Sequence, residues 1–182
     1  MIFNGVDNQT VELKITNYQY PDIVDGDWDS NWLNIYLNVV SKVGHWQTVD
    51  PSLTTWEVKS LIIWFDTLSN DTQPDSNEIG FTEPNLSFEL LERFDAKTKI
   101  FKIKFDLEFR PQSATADREY FVEFIADNVE LKRITSELKN ELDKYPERKS
   151  AHNISYPQAG FRCFVDRKLV NWKAALLRKF IG

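Results

Sequence analysis

Residues 28–68 read WDSNWLNIYLNVVSKVGHWQTVDPSLTTWEVKSLIIWFDTL, and this stretch decides the fold. From Leu33 to Val39 apolar residues alternate with polar ones, which predicts a strand with one buried face. Gly44 allows the chain to reverse into a second strand at about 45–49. We therefore expect a β-hairpin in the first half of the stretch.

A helix is predicted directly after this hairpin. Pro51 and Ser52 are expected to end the second strand. Thr54 and Glu57 have the spacing of a capping box, so the helix should begin near Leu53. Apolar residues then recur at helical spacing at Val58, Leu61, Ile62, Phe65 and Leu68. Further apolar residues widen this face almost to a full ring, so the helix should be packed on more than one side.

The same patterns predict further strands and a second long helix outside this stretch. Alternation and composition predict strands at residues 11–16, 78–81, 86–94, 99–109 and 120–126, with a short turn at 95–97. Asp127 and Glu130 have capping-box spacing and begin a helix that runs to about Tyr145. Strands that follow one another in hairpins pair antiparallel. The predicted class is therefore α+β: a mostly antiparallel β-sheet, two main helices packed on it and a short C-terminal helix. The sequence shows no internal repeat.

The length of 182 residues suits one compact domain. We expect a single domain over residues 1–182, with a compact body at about 1–146 and a basic tail at about 150–182. The short C-terminal helix is predicted in this tail, where Leu169, Trp172, Leu176 and Phe180 recur at helical spacing.

The charge is unevenly distributed along the chain. The net charge is −6, and residues 151–182 contain six basic residues and one acidic residue, a local charge of +5, which leaves −11 for residues 1–150. A body this acidic repels the phosphates of nucleic acids and attracts a basic partner. We therefore expect no binding to nucleic acid.

The remaining composition favours a cytoplasmic protein. Cys163 is the single cysteine, so no internal disulfide can form, and a reducing compartment is the simplest setting. No signal peptide is visible at the start, and no stretch approaches the roughly 20 apolar residues that span a bilayer. We expect no membrane association.

Acidic residues lie in two exposed segments that are candidates for partner binding. The first is the segment PDIVDGDWDSN, with Asp22, Asp25, Asp27 and Asp29; the second is the loop 69–85, with Asp71, Asp75 and Glu78. Asp25 to Asp29 has the DxDxD spacing of calcium loops. However, Ser30 and Tyr36 stand where such loops need glycine and glutamate, so an exposed acidic turn is the simpler interpretation and no metal site is predicted.

Motifs of known enzymes are missing from the sequence. It contains no GxSxG, no HExxH and no phosphate-binding glycine loop, and neither His45 nor His152 lies near a nucleophile motif. Carboxylate pairs such as Glu57 with Asp66, or Glu89 with Asp106, are expected by chance among 28 acidic residues. We expect a non-catalytic protein without cofactors. A sugar- or ligand-binding module and an uncharacterised enzyme remain alternatives.

Three motifs in the opening stretch resemble the WapI family of immunity proteins, which are antidotes to toxins delivered between bacteria. They are W-D-x-N-W-L at 28–33, G-x-W at 44–46 and D-P-S-L-x-T-W-E at 50–57. The resemblance implies a cytoplasmic protein that binds a cognate toxin domain and blocks it. It also implies that four signature tryptophans fix the core, namely Trp28, Trp32, Trp46 and Trp56. Such toxins are often nucleases with basic faces, which would suit an acidic inhibitor. Monomer and homodimer both remain open.

Overall fold

The computed structural model describes residues 1–93 and 98–149. The turn expected at 95–97, the basic tail and its short helix lie outside the described residues. Within the described ranges the class is α+β, as predicted, because eight strands form two antiparallel sheets and two long helices accompany them.

The first sheet contains the hairpin that the opening stretch predicts. Its strands pair antiparallel in chain order: β1 (Ile2–Asn4), β2 (Thr10–Tyr18), β3 (Trp32–Ser41) and β4 (Gly44–Thr54). The alternation in β3 is confirmed, since its apolar residues from Leu33 to Val39 are buried and its polar residues are partly exposed.

The prediction that Pro51 and Ser52 end the second strand is wrong, because β4 continues through both residues to Thr54. Leu53 pairs with Leu33 and Pro51 pairs with Asn34, so the register shifts and Ser52 is the extra residue of a bulge. Pro51 lies on an edge strand and next to this bulge, and these are the positions at which a strand tolerates proline.

The second sheet is also antiparallel and in chain order. It contains β5 (Glu78–Gly80), β6 (Leu86–Arg93), β7 (Thr98–Phe105) and β8 (Tyr120–Asp127). The strand predicted to reach Phe109 ends at Phe105. Beyond it, the carboxylate of Asp106 accepts a hydrogen bond from the N–H of Leu107 at 2.7 Å, and Leu107–Phe109 form a turn of 3₁₀ helix. The side-chain hydrogen bond offers the backbone an alternative to the sheet.

Both long helices begin directly after the last strand of a sheet. They are α1 (Thr55–Ser69) and α2 (Asn128–Leu142), and they pack against each other. The capping box at α1 is confirmed: Glu57 Oε2 accepts from the N–H of Thr54 at 2.8 Å, and Thr54 Oγ1 accepts from the N–H of Glu57 at 3.3 Å. Four antiparallel strands followed by a 15-residue helix thus occur twice, although the sequence shows no repeat.

A cluster of phenylalanine rings joins the two halves. Phe3 of β1 contacts Phe65 of α1 at 6.1 Å between ring centroids and Phe124 of β8 at 5.1 Å. Phe101 of β7 stacks on Phe124 at 4.9 Å. Both sheets and α1 therefore contribute to one core. No helix in the described ranges is long and apolar enough to cross a membrane.

Candidate partner-binding surface

The acidic turn, defined as residues 19–31, connects β2 to β3. Its four aspartates, Asp22, Asp25, Asp27 and Asp29, are all exposed. Asp25 Oδ1 accepts a hydrogen bond from the N–H of Asp27 at 3.2 Å, which tightens the middle of the turn. The segment therefore projects its carboxylates into solvent, as the sequence predicts for an exposed acidic turn.

Arg148, which follows α2, holds this turn in shape. Its guanidinium donates hydrogen bonds to the backbone carbonyl oxygens of Tyr20, Pro21, Ile23 and Ser30. It also lies over the ring of Tyr18, at 3.6 Å from the centroid. Because the five N–H groups of a guanidinium form a rigid fork, one side chain can fix several carbonyl groups at once. These contacts give the turn a defined conformation, although its residues 19–28 form no helix or strand.

Asn31 connects the turn to both helices. Its Oδ1 accepts from the N–H of Arg148 at 2.9 Å and from Thr55 Oγ1 at 3.0 Å, while its Nδ2 donates to the carbonyl oxygen of Arg148 at 2.9 Å. Asn31 is 1% exposed, so these bonds satisfy an amide that would otherwise be costly to bury. The start of α1 and the segment after α2 therefore meet at one point under the turn.

The tyrosine at the base of the turn adds a further bond to the segment after α2. The hydroxyl of Tyr18 donates to the carbonyl oxygen of Pro146. Burial raises the pKa of Tyr18 further above neutral pH, where a tyrosine hydroxyl is already protonated and able to donate. Tyr145 in turn donates to the carbonyl oxygen of Thr16 at 2.8 Å.

Trp28 lies on the surface of this turn. Its ring contacts that of Trp56, with 4.7 Å between centroids and 57° between planes, and 46% of the residue is exposed. The expectation that it fixes the core is therefore wrong for Trp28. The other signature tryptophans, Trp32, Trp46 and Trp56, are half-buried. Among the described residues, the buried tryptophan is Trp64, at 3% exposure, which the signature does not include.

Further apolar side chains are exposed on the same turn. Tyr20 is 42% exposed, Ile23 is 36% exposed and Val24 is 69% exposed. Protein interfaces commonly combine exposed apolar and aromatic groups with a polar rim. The acidic turn presents both components within one short segment.

The seven candidate carboxylates differ in whether they form an ion pair with a lysine or arginine of the described residues. Asp71 Oδ1 lies 2.9 Å from Lys99 Nζ, and Glu78 Oε1 lies 3.3 Å from Lys104 Nζ. By contrast, no ion pair within residues 1–93 and 98–149 neutralises the four aspartates of the acidic turn. Asp75 is exposed in the loop that follows α1. Among the described residues, the aspartates of the acidic turn therefore differ from Asp71 and Glu78 in having no lysine or arginine within ion-pair distance.

The two acidic segments lie at opposite ends of α1. The acidic turn contacts Trp56 near its first residue, whereas Asp71 follows its last turn. A 15-residue helix is about 22 Å long, so the segments do not form one continuous cluster. The positions of the two acidic segments in the sequence did not show that they lie at opposite ends of the helix.

Sequence reasoning missed Arg148, because an arginine in a polar linker gives no local pattern. It also could not place the carboxylate pairs Glu57 with Asp66 and Glu89 with Asp106. Glu57 is engaged in the capping box, and Glu89 Oε2 lies 2.7 Å from Lys104 Nζ. In the part of the chain that the structure describes, no three histidine, cysteine or acidic side chains converge on a common point that could hold a metal ion.

The family model described as "Immunity protein WapI-like family" matches residues 1–146. A comparison with curated proteins gives no match. The matched range includes the whole acidic turn and ends two residues before Arg148.

Proposed function

The chain belongs to the WapI-like family of immunity proteins, and from this premise we propose that it neutralises a cognate toxin domain by binding it through the acidic turn. Binding would block the toxin's active site or the entry of its substrate. The role is non-catalytic and needs no cofactor. It places the complex in the cytoplasm, where a delivered toxin would act.

The observation that carries the proposal is the combination of unpaired charge and exposed apolar surface at one fixed turn. Residues 1–150 carry −11 of charge, because the remaining 32 residues carry +5 and the whole chain −6. The four aspartates of the turn form no ion pair among the described residues, and Ile23, Val24 and Trp28 are exposed beside them. A basic protein surface would match both features.

A nuclease is the toxin class that this surface fits best. Nucleases bind phosphates through basic faces, and an acidic inhibitor competes for such a face by charge complementarity. A preformed turn also lowers the entropy cost of binding, since fewer side chains and backbone torsions need to be ordered in the complex. The fixation by Arg148 and Asn31 supplies that preformed shape.

The test is calorimetry of this protein with the toxin domain encoded beside its gene, made catalytically inactive by substitution. We compare the variant Asp22→Lys/Asp29→Lys with the control Asp117→Lys/Asp143→Lys. All four aspartates are exposed, and each double change moves the net charge from −6 to −2. Neither Asp22 nor Asp29 uses its side chain in a hydrogen bond among the described residues.

We expect the variant in the acidic turn to bind at least tenfold more weakly, with most of the loss in the association rate at low salt. The control should lose much less, since it changes the net charge and leaves the turn intact. Equal losses would show that only net charge matters. No binding by the wild-type protein, together with no protection of cells that express the active toxin, would contradict the proposed function.

A further inference from the structure

Trp28 and Trp56 form an aromatic pair that is open to solvent, and we call it the tryptophan platform. Trp28 comes from the acidic turn, and Trp56 is the second residue of α1. Their centroids lie 4.7 Å apart, and Trp28 is 46% exposed. The platform is therefore built by two separate elements and faces outward.

The platform is held in place by buried bonds beneath it. Thr55, the neighbour of Trp56, donates from Oγ1 to Oδ1 of Asn31 at 3.0 Å. Asn31 also donates from Nδ2 to the carbonyl oxygen of Asp27, the neighbour of Trp28, at 3.3 Å. One buried asparagine thus bonds to the residue before each tryptophan, through the Thr55 hydroxyl and the Asp27 backbone, which gives the exposed rings a fixed position.

Acidic residues are the sequence neighbours of both rings of the platform. Asp27 and Asp29 flank Trp28 in the sequence, and both are exposed. At the start of α1, where the helix dipole would favour an anion, the carboxylate of Glu57 already occupies the capping box. The face of an indole ring is itself a site of negative potential. All these groups favour a cation at this position.

We propose that the tryptophan platform takes one lysine or arginine side chain of the toxin and forms the centre of the interface. This inference rests on the proposed function and adds to it the contact that anchors the partner. The aliphatic stem of the basic residue would pack on the rings, while its charge lies over a ring face and near the aspartates. Tryptophan is the best of the aromatic residues for such a contact, and interface energy concentrates in a few aromatic and basic residues.

The described residues contain the same contact inside the chain. The guanidinium of Arg148 lies 3.6 Å from the centroid of Tyr18 at the base of the acidic turn. Lys102 Nζ lies 4.6 Å from the centroid of Phe121 in the second sheet. The platform differs from both, because no lysine or arginine of the described residues lies over its rings.

The experiment measures binding of the same inactive toxin domain to Trp28→Leu and Trp28→Phe by calorimetry. Leucine keeps an apolar side chain but removes the ring, whereas phenylalanine keeps a ring. Phe121→Leu is the matched control, since Phe121 is 39% exposed and lies on the second sheet. We expect Trp28→Leu to bind about three- to thirty-fold more weakly, Trp28→Phe to retain most of the affinity and Phe121→Leu to bind like the wild type.

A second measurement uses the unaltered protein. Nuclear magnetic resonance of the wild-type complex should show methylene protons of one toxin lysine or arginine shifted upfield and in contact with the Trp28 indole. The proposed contact with a basic residue would be wrong if Trp28→Leu bound with wild-type affinity. It would also be wrong if Trp28 contacted only aliphatic or acidic residues of the toxin. Either result would leave the proposed function intact. Absence of any binding by the wild type would overturn both.

Discussion

At the scale of single residues, Arg148 shows how one side chain can determine the shape of a distant loop. Its hydrogen bonds reach carbonyl groups up to 128 residues earlier in the chain. Hydrogen bonds from a charged donor are about twice as strong as neutral ones, and several are made here by one group. The conformation of the acidic turn therefore depends on a residue that lies outside the turn.

We predict that Arg148→Ala lowers the free energy of unfolding by about 2 kcal/mol, because several carbonyl groups lose a charged donor. Arg148→Lys should recover less than half of this loss, since an ammonium group cannot reproduce the fork. Urea unfolding measures both values. Lys149→Ala is the matched control, because Lys149 is the exposed neighbour. A loss in Arg148→Ala no greater than in the control would contradict the prediction.

At the scale of elements, a buried lysine joins three of them. Lys99 of β7 is 1% exposed, and its Nζ lies 2.9 Å from Asp71 Oδ1 after α1 and 2.6 Å from Asn128 Oδ1 at the start of α2. Asn128 Nδ2 donates to Asp71 Oδ2 at 2.7 Å, which closes the network. A buried ammonium needs such partners, because an unpaired buried charge is strongly destabilising. The sequence offered Asp71 as a partner-binding residue, and the structure places it in this network.

We predict that Asp71→Asn destabilises the protein by about 1–2 kcal/mol, a value reduced from that of a fully buried pair because the Asp71 side chain is 45% exposed. Asparagine tolerates the positive φ of 57° at this position, so the change tests charge and not backbone strain. The double variant Asp71→Asn/Lys99→Met should be more stable than Asp71→Asn alone, since it removes the uncompensated charge. Thermal and urea unfolding check the order. A double variant less stable than the single one would contradict it.

The elements also show where local patterns are sufficient. The capping box of α1 was predicted from Thr54 and Glu57 alone, because its hydrogen bonds join residues three apart. The end of β4 was predicted wrongly, because Pro51 breaks a strand only where its N–H is needed. Its position at the sheet edge is a property of the neighbouring strands, and the sequence of β4 does not contain it.

At the scale of the whole molecule, the first and second sheets meet at Gly5, the residue that follows β1. Gly5 forms an isolated antiparallel bridge with Phe124 of β8, directly after Phe3 has entered the core. A Cβ atom at Gly5 would lie 2.6 Å from Val122 Cγ1 and 3.0 Å from the carbonyl oxygen of Glu123. Only glycine permits this close approach of the two sheets.

We predict that Gly5→Ala destabilises the protein by about 1–3 kcal/mol, because the added methyl group forces apart well-packed neighbours. Gly80→Ala is the matched control, since a Cβ there has no heavy atom within 4 Å and is expected to change stability by less than about 0.5 kcal/mol. Chemical denaturation of both variants provides the comparison. If the two variants were equally stable, the prediction would be wrong, because the atoms around Gly5 would accommodate the methyl group without loss of stability.

The sequence by itself determined the α+β class, the buried faces of the strands, the cap of α1 and the resemblance to an immunity protein family. These depend on spacings of two to four residues and on short motifs, which a single chain displays directly. Only the tertiary structure decided that Trp28 is exposed and that Asp71 pairs with Lys99, whereas the aspartates of the acidic turn form no ion pair among the described residues. It also decided that Arg148 holds that turn in place. The physical reason is that these contacts join residues 28 to 128 positions apart, and their energies depend on burial and neighbours that the folded chain creates.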